Sequence, residues 1–343
     1  MSALELIYLN GADVEALSLT DAEILDSVRG VLAAQGRGET VLEPRTHLFP
    51  RGGAQASRGH FNVLRGAVPQ FAGVKVVGDF VGNHRLGLPS ELALLLLLDP
   101  DTGMPRAVID ATAITEMRTG AVTAIGAEHL ARADSRSLGH VGARATSYWN
   151  VRLLCEVLPS LEDIRVHSLR PESREAFARR LSADLDREVR AVASWEECVR
   201  GADVVVEATR LTEPAPLLRT QWIEPGALVI PYGTVSAVEL DLTEIVDKIV
   251  VDDWGQAGVG PLGALRAHVD SGRLTESNLH AELGQIVCGA RPGRERADET
   301  ILFWHRGLSI TDIALGQTLL EKAQARQLGT PLPFGPPAQG RAR

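Results

Sequence analysis

From Ser137 onward, short apolar runs alternate with stretches of helical period, the pattern of a parallel sheet with helices on both faces. The predicted strands are Ser137–Val141, Asp163–Ser168, Glu188–Val192, Asp203–Ala208, Ala227–Gly233 and Lys248–Asp253. Between them, Ala145–Val157 and Pro171–Leu181 read as helices, Pro171 being suited to a first turn; another opens at Ser194, with Glu197 at capping-box spacing. This rhythm predicts a doubly wound sheet. The first part of the chain reads differently. Val74–Phe80 and Leu92–Leu98 have strand character, and "DPDTGMP" from Asp99 is turn chemistry leading back into Arg106–Asp110, so an antiparallel arrangement is expected. A helix over Thr115–Ala131 then carries the chain into the second domain. A C-terminal helix, Thr311–Gln327, precedes "GTPLPFGPPAQGRAR", whose proline and glycine content predicts a loosely ordered tail.

Composition narrows the class. With 343 residues, 45% of them hydrophobic, the chain can bury a large core, and two domains are expected. The net charge of -9 is spread without a basic block, which argues against a nucleic-acid partner. Cys155, Cys198 and Cys288 have neither paired nor metal-ligand spacing, so no metal site is expected and a reducing cytoplasm is implied. Leu92–Leu98, the longest apolar run, falls far short of the ~18 residues of a membrane span, and Glu5 stands where a signal peptide would carry basic residues. A cytoplasmic protein with no membrane partner is the expectation.

The chemistry concentrates first in "SLGHVGARATSYWN", Ser137 to Asn150. A dinucleotide-binding turn wants Gly-x-Gly-x-x-Gly/Ala between a strand and a helix, because the backbone must approach a pyrophosphate closely at the helix N-terminus. Gly142 and Ala145 occupy the second and third places, Ala143 and Arg144 lie between them, and His140 stands in the first. The alternative is a tight turn that binds no nucleotide, since doubly wound folds serve many functions. The next strand ends at Ser168 with Arg170 beyond it, and has no Asp or Glu for ribose hydroxyls; a small polar residue plus an arginine leans toward NADP over NAD.

Several segments together resemble the ornithine cyclodeaminase/mu-crystallin family: "EPRTH" (Glu43–His47), "GVKVVGDFVGN" (Gly73–Asn83), the block from Gly87 to Arg132 containing "AITEMRTGAVTA", "GHVGARA", "EPGALV", "VELD", "ELGQIVCGARPGR" and "GLSITDIALG". The resemblance implies an α/β protein in which a Rossmann-type doubly wound sheet is inserted into an α+β substrate and dimerisation domain. The expected boundaries are 1–119 for the substrate and dimerisation domain, 120–304 for the NAD(P)-binding domain, and 305–343 for a returning segment and tail. It implies a homodimer that uses NAD(P) on the Cα–N bond of a small amino acid or imine. By position, Arg45, Lys75 and Arg118 match the residues that hold the substrate carboxylate and adjoin the reacting nitrogen. The residue types suit those roles, since guanidinium forks clamp carboxylates and an ammonium near the Cα–N bond can orient water or exchange a proton. Each has a plainer alternative. Arg45 could be a loop cation, Lys75 could face solvent opposite Val74 and Val76, and Arg118 lies near a helix start where the dipole disfavours it. Thr119, beside Arg118, and Thr209, just past the fourth predicted strand, are grouped with Gly142, Ala143, Arg144, Ala145, Ser168 and Arg170 as cofactor-binding.

The sequence also departs from the family. Cyclodeaminases place an Asp where Gly233 stands here, and no carboxylate lies between Glu224 and Glu239. A substrate with a second ammonium would find no local counter-charge, which favours an amino-acid dehydrogenase or imine reductase over an ammonia-releasing cyclodeaminase. A crystallin-like NADP-binding protein without turnover is the remaining alternative. In "FWHRG", His305 is a candidate proton donor and Arg306 a candidate for a second anionic group, against a structural role at a domain junction. Asp252 and Asp253 offer too few oxygen ligands for a metal. Asp312 in "ITDIALG" matches an acidic place that the resemblance puts near the nicotinamide and could equally be an N-terminal helix acid, so a support role is expected.

Overall fold

The computed structural model describes residues 4–51, 58–211 and 213–335. Along the chain come β1 (Leu4–Leu9), α1 (Gly11–Leu17), α2 (Asp21–Gly36), β2 (Val41–Leu48), β3 (His60–Val68), β4 (Phe71–Asp79), β5 (Glu91–Leu98), β6 (Pro105–Asp110) and α3 (Thr112–Leu130). An alternating stretch follows: β7 (Ser137–Val141), α4 (Ala145–Val157), β8 (Asp163–His167), α5 (Pro171–Leu185), β9 (Val189–Ala191), α6 (Trp195–Val199), β10 (Val204–Glu207) and β11 (Leu228–Pro231). Then come α7 (Leu242–Ile245), β12 (Lys248–Val251), α8 (Trp254–Ala257), α9 (Arg266–Asp270), β13 (Ala281–Glu282), α10 (Leu283–Val287), β14 (Ile301–Trp304), α11 (Ser309–Arg326) and β15 (Thr330–Gly335). The residues fall into two compact units. One holds the chain up to Val31, Gly38–Thr115 and everything from Leu308; the other holds Leu32–Arg37 and Glu116–Gly307.

The first unit is built on a seven-stranded sheet in the order β15-β1-β6-β5-β4-β3-β2. Most neighbours are antiparallel, as the turn chemistry implies, but β1 runs parallel to β6. The tail expected to be loose is partly a strand: β15 pairs antiparallel with β1, placing Pro331 opposite Ile7 and Pro333 opposite Glu5. Proline is tolerated there because β15 is an edge strand, with one side free of ladder bonds. The rest of that tail, 336–343, lies outside the described residues.

The second unit carries an eight-stranded sheet, β13-β12-β14-β11-β10-β7-β8-β9, parallel throughout. Its central strands β10, β11 and β14 read "VVVE", "LVIP" and "ILFW", and every residue in them is buried. Continuous apolar runs of this kind arise when both faces of a strand are covered. From β7 the chain winds outward through β8 and β9, then returns to place β10 on the other side of β7. That reversal opens a crevice at the carboxyl ends of β7 and β10, where ligands settle in doubly wound sheets. Among the described residues, no helix is long and apolar enough to cross a membrane.

Candidate active site

In the first unit, alternation along β4 runs opposite to the solvent-facing alternative for Lys75. Val76 is 38% exposed, whereas Lys75 is 1% exposed. Its cross-strand partners are Leu64 and Leu95, both buried, and its Nζ donates to Asp312 Oδ1 at 2.6 Å. Asp312 lies in the first turn of α11 and is itself fully buried. An ammonium taken out of water beside apolar strands requires such a partner. Arg45 sits in β2 where the register against β3 slips, between Glu43 and Thr46. The irregularity lets its side chain depart from the regular alternation. Near it in sequence, His47 and Phe49 cluster with His60, the two imidazoles 5.5 Å apart. No local sequence pattern points to that cluster, because His60 comes from the neighbouring strand.

In the second unit the candidate cofactor turn follows β7 and leads into α4. Gly142 has φ +122, and a Cβ there would lie 2.8 Å from Ala208 O, so only glycine keeps this turn pressed against the end of β10. The backbone N–H of Ala208 donates to Val141 O at 2.8 Å, fixing the two strand ends together at the reversal point. Ala143 is half-buried, Arg144 and Ala145 are exposed, and the 13-residue α4 starts here, so the turn joins a strand end to a helix N-terminus of the kind that suits an anion. His140, in the place of the first fingerprint glycine, is wholly buried; its Nδ1 lies 3.1 Å from Gly142 O, and burial pushes its pKa down to about 4. Beyond β8, Ser168 is half-buried, while Leu169 and Arg170 are exposed.

Arg118 lies in the second turn of α3, which begins at Thr112, earlier than expected. The dipole objection to it therefore weakens, since that effect fades within the first turn. Arg118 and Thr119 are both buried. A Cβ on Gly307 would come within 1.8 Å of Arg118 Nη1, so the guanidinium packs on the bare Cα of a residue with φ +83. Asp252 holds that turn: its Oδ2 accepts from the backbone N–H groups of Arg306 and Gly307, both at 2.8 Å. Asp252 thus serves as a backbone acceptor at the end of β12, and among the described residues no group of three or more His, Cys, Asp or Glu could hold a metal ion.

In "FWHRG", His305 and Arg306 both contact other parts of the second unit. His305 Nε2 lies 2.9 Å from Thr123 Oγ1, its ring stacks on Tyr232 with centroids 4.9 Å apart, and burial lowers its pKa to about 3. Burial therefore favours the neutral imidazole there at ordinary pH. Arg306 Nη1 donates to the carbonyls of Gln256 and Val259 at 2.8 and 2.6 Å. Those bonds, with its pKa lowered by burial to about 10, fit a cation spent on backbone rather than on a second anionic group.

A carboxylate does stand beside Gly233, supplied from another strand. Glu207 closes β10 with no exposed surface, and a Cβ on Gly233 would lie 2.7 Å from its Oε2 and 2.8 Å from its Oε1. Glu207 Oε1 accepts from Thr209 N at 2.7 Å and from the Thr209 hydroxyl. The expectation that this place lacks an acid is corrected: counting along the sequence around Gly233 could not find a group 26 positions earlier on the adjacent strand.

The sequence profile of the ornithine cyclodeaminase/mu-crystallin family matches residues 5–327. The chain belongs to that family. An alanine dehydrogenase of Archaeoglobus fulgidus is 31% identical over 336 residues, 96% of this chain and 99% of that protein. The ketimine reductase mu-crystallin of Mus musculus is 28% identical over 320 residues, covering 92% of this chain and 96% of the mouse protein. Among solved structures, the Thermococcus litoralis Delta(1)-pyrroline-2-carboxylate reductase in complex with NADH and L-proline superposes with TM-score 0.87 at 29% identity, covering 95% of this chain and 99% of that one. The similarity to family members therefore extends through both units.

Proposed function

We propose that this chain is an NAD(P)-dependent oxidoreductase acting on the Cα–N bond of an amino acid/imino acid pair, as an amino-acid dehydrogenase or an imine reductase. The observation that carries the reading is the bare turn at Gly142, locked to Ala208 at the point where the parallel sheet reverses. Family relatives that match along nearly their whole lengths are a dehydrogenase and a ketimine reductase. When bound, the dinucleotide supplies or accepts the hydride exchanged with Cα.

The chain's own residues do the rest. Gly142, Ala143, Arg144 and Ala145 would hold the dinucleotide's pyrophosphate, and Thr119, Thr209, Ser168 and Arg170 would supply further cofactor contacts. Arg45 and Arg118 hold the substrate carboxylate. Lys75, its charge balanced by Asp312, holds or moves the proton at the substrate nitrogen. Ser168 and Arg170 at the end of β8, with no carboxylate following that strand until Glu172, favour a 2′-phosphate and thus NADP. A homodimer is supported by the outward face of the first unit's sheet, where Val76 pairs with Leu94 and Leu92 lies beside them, all exposed. The free thiols of Cys155, Cys198 and Cys288 suit a reducing cytoplasm.

The test is to supply NADH or NADPH with ammonia and a panel of 2-oxo acids, and separately with preformed cyclic imines, while following reduced-nicotinamide absorbance. Consumption of at least one substrate with loss of absorbance is expected. No consumption across the panel would contradict the reading. Release of ammonia from a diamino acid with no net absorbance change would move the chain to the cyclodeaminases.

A further inference from the structure

The carboxyl of Glu207 is a buried acid for which hydride transfer has no evident use. It lies at the end of β10, one residue from Ala208, which backs the Gly142 turn. Two features set it apart. First, a cradle is built for it: Gly233 has no side chain, and any Cβ there would collide with both carboxyl oxygens and with Thr209 O at 2.9 Å. Secondly, its hydrogen bonding is one-sided. Oε1 takes both the backbone N–H and the hydroxyl of Thr209, whereas Oε2 takes neither. The extended ladder beyond the strands, Tyr232 N to Glu207 O at 2.8 Å and Thr234 N to Thr209 O at 3.3 Å, keeps these turns side by side.

A threonine hydroxyl has one proton to give and two lone pairs to offer. With that proton committed to Glu207, the half-buried Thr209 presents its oxygen as an acceptor only. We propose that Glu207 is a positioning residue for the dinucleotide site: its carboxylate fixes the Thr209 hydroxyl as a hydrogen-bond acceptor for a ligand N–H, the class of donor carried by a carboxamide. This deepens the NAD(P) reading and rests on it. The bonding reverses when Glu207 is protonated, because a neutral carboxyl can itself donate to Thr209 and leave the hydroxyl proton facing the ligand.

That reversal falls in an accessible range, since burial pushes the Glu207 pKa up to about 7 against the pull of the Thr209 bonds and of the Gly233 backbone N–H. The titratable and charged groups linked to it are Tyr232 on the turn after β11, whose pKa the Glu207 charge helps raise, His305 stacked on Tyr232, Arg118 on α3 acting on both rings, His140 on the neighbouring β7, and Arg210 three residues on in the chain. Burial holds both histidines neutral near pH 7, with pKa values lowered to about 4 and about 3, and raises Tyr232 well above its usual value. Arg210 is lowered by burial but remains an arginine, charged across this range.

The test is direct titration of NADH, which has no group ionising near neutrality, followed by its fluorescence on wild-type protein, Glu207→Gln and Thr209→Val. For a ligand that selects the carboxylate form, the wild-type Kd rises roughly tenfold between about pH 8 and about pH 6. Glutamine still accepts from Thr209 but does not ionise, so Glu207→Gln varies less than about twofold over the same range. Thr209→Val binds weakly at both pH values. The proposal is overturned if wild-type binding is flat with pH, if Glu207→Gln keeps the wild-type slope, or if Thr209→Val binds as wild type does at the higher pH. Should Glu207→Gln fail to fold, Thr209→Ser against Thr209→Val decides: serine must retain the slope and valine must lose it. If NADH and NADPH bind at no pH to wild-type protein, the dinucleotide reading itself falls, and this proposal with it; binding without the pH slope removes the proposal alone.

Discussion

The two sheets handle charge in opposite ways. In the second unit the central strands are largely apolar, and polar groups gather at their carboxyl ends, as Glu207 does at the end of β10 and Thr209 just beyond it. In the first unit a lysine is set midway along β4, between Leu64 and Leu95, and is balanced by Asp312 from α11. A parallel sheet delivers its chemistry at its edge of reversal and can keep its core dry. An antiparallel sheet with one helix-covered face has no such edge, so a reactive group on that face carries its counter-ion with it. In the first unit the candidate site is signalled by a buried charge amid strand residues, in the second by a bare turn.

The largest effect expected comes from breaking the pair in the first unit. Lys75→Met removes the ammonium that balances the buried Asp312 carboxylate and should cost about 3–5 kcal/mol in urea unfolding, while adding Asp312→Leu to it should restore most of that loss. If the single variant is as stable as wild type, the pair is not holding charge out of water. Next is the carboxyl at the end of β10. A glutamate with its folded pKa raised to about 7 contributes stability that is complete below its ordinary value of 4.5 and is lost as pH rises through the folded value. Glu207→Gln stays neutral, so it should gain up to about 3 kcal/mol over wild type above that range and nothing well below it, read as the difference in Tm at the two extremes.

Two smaller effects sharpen the contrast inside the second unit. Gly307→Ala brings a methyl into the Arg118 guanidinium at a φ of +83, and should raise KM for the carboxylate substrate about tenfold or more without weakening NADH binding. Equal loss in both would mean that Arg118 and the turn support the whole unit rather than the carboxylate. Arg170→Ala should lower NADPH affinity a few-fold and leave NADH affinity unchanged, since one exposed arginine–phosphate contact is worth about 1 kcal/mol. Parallel titrations with the two dinucleotides measure it.

The sequence made the second unit's scaffold legible because each element signals locally. β7 and α4 fall on the boundaries read from "SLGHV" and from the helical stretch after it, and Ser194 caps α6 as its spacing implies. β14 escaped notice because it enters the sheet between β11 and β12, a placement that only long-range pairing decides. β15 escaped because prolines that usually break strands are accepted on an edge. Among the candidate residues, Gly142, Lys75 and Arg118 are legible as residue types in suggestive surroundings. The face that Lys75 takes was not, since "VKVV" alternates equally well either way until α11 supplies Asp312. Glu207 was hidden for a similar reason: its meaning depends on the missing side chain of Gly233, and no local pattern joins them.

The most direct measurement is turnover by the double variant Lys75→Met/Asp312→Leu, with a cyclic imine and reduced dinucleotide, alongside its NADH affinity. If the buried ammonium works at the substrate nitrogen while the second unit alone holds the cofactor, the variant folds, binds NADH as wild type does, and loses turnover by about a thousandfold. Turnover within a few-fold of wild type in that folded, cofactor-binding variant would show that Lys75 serves only to balance Asp312.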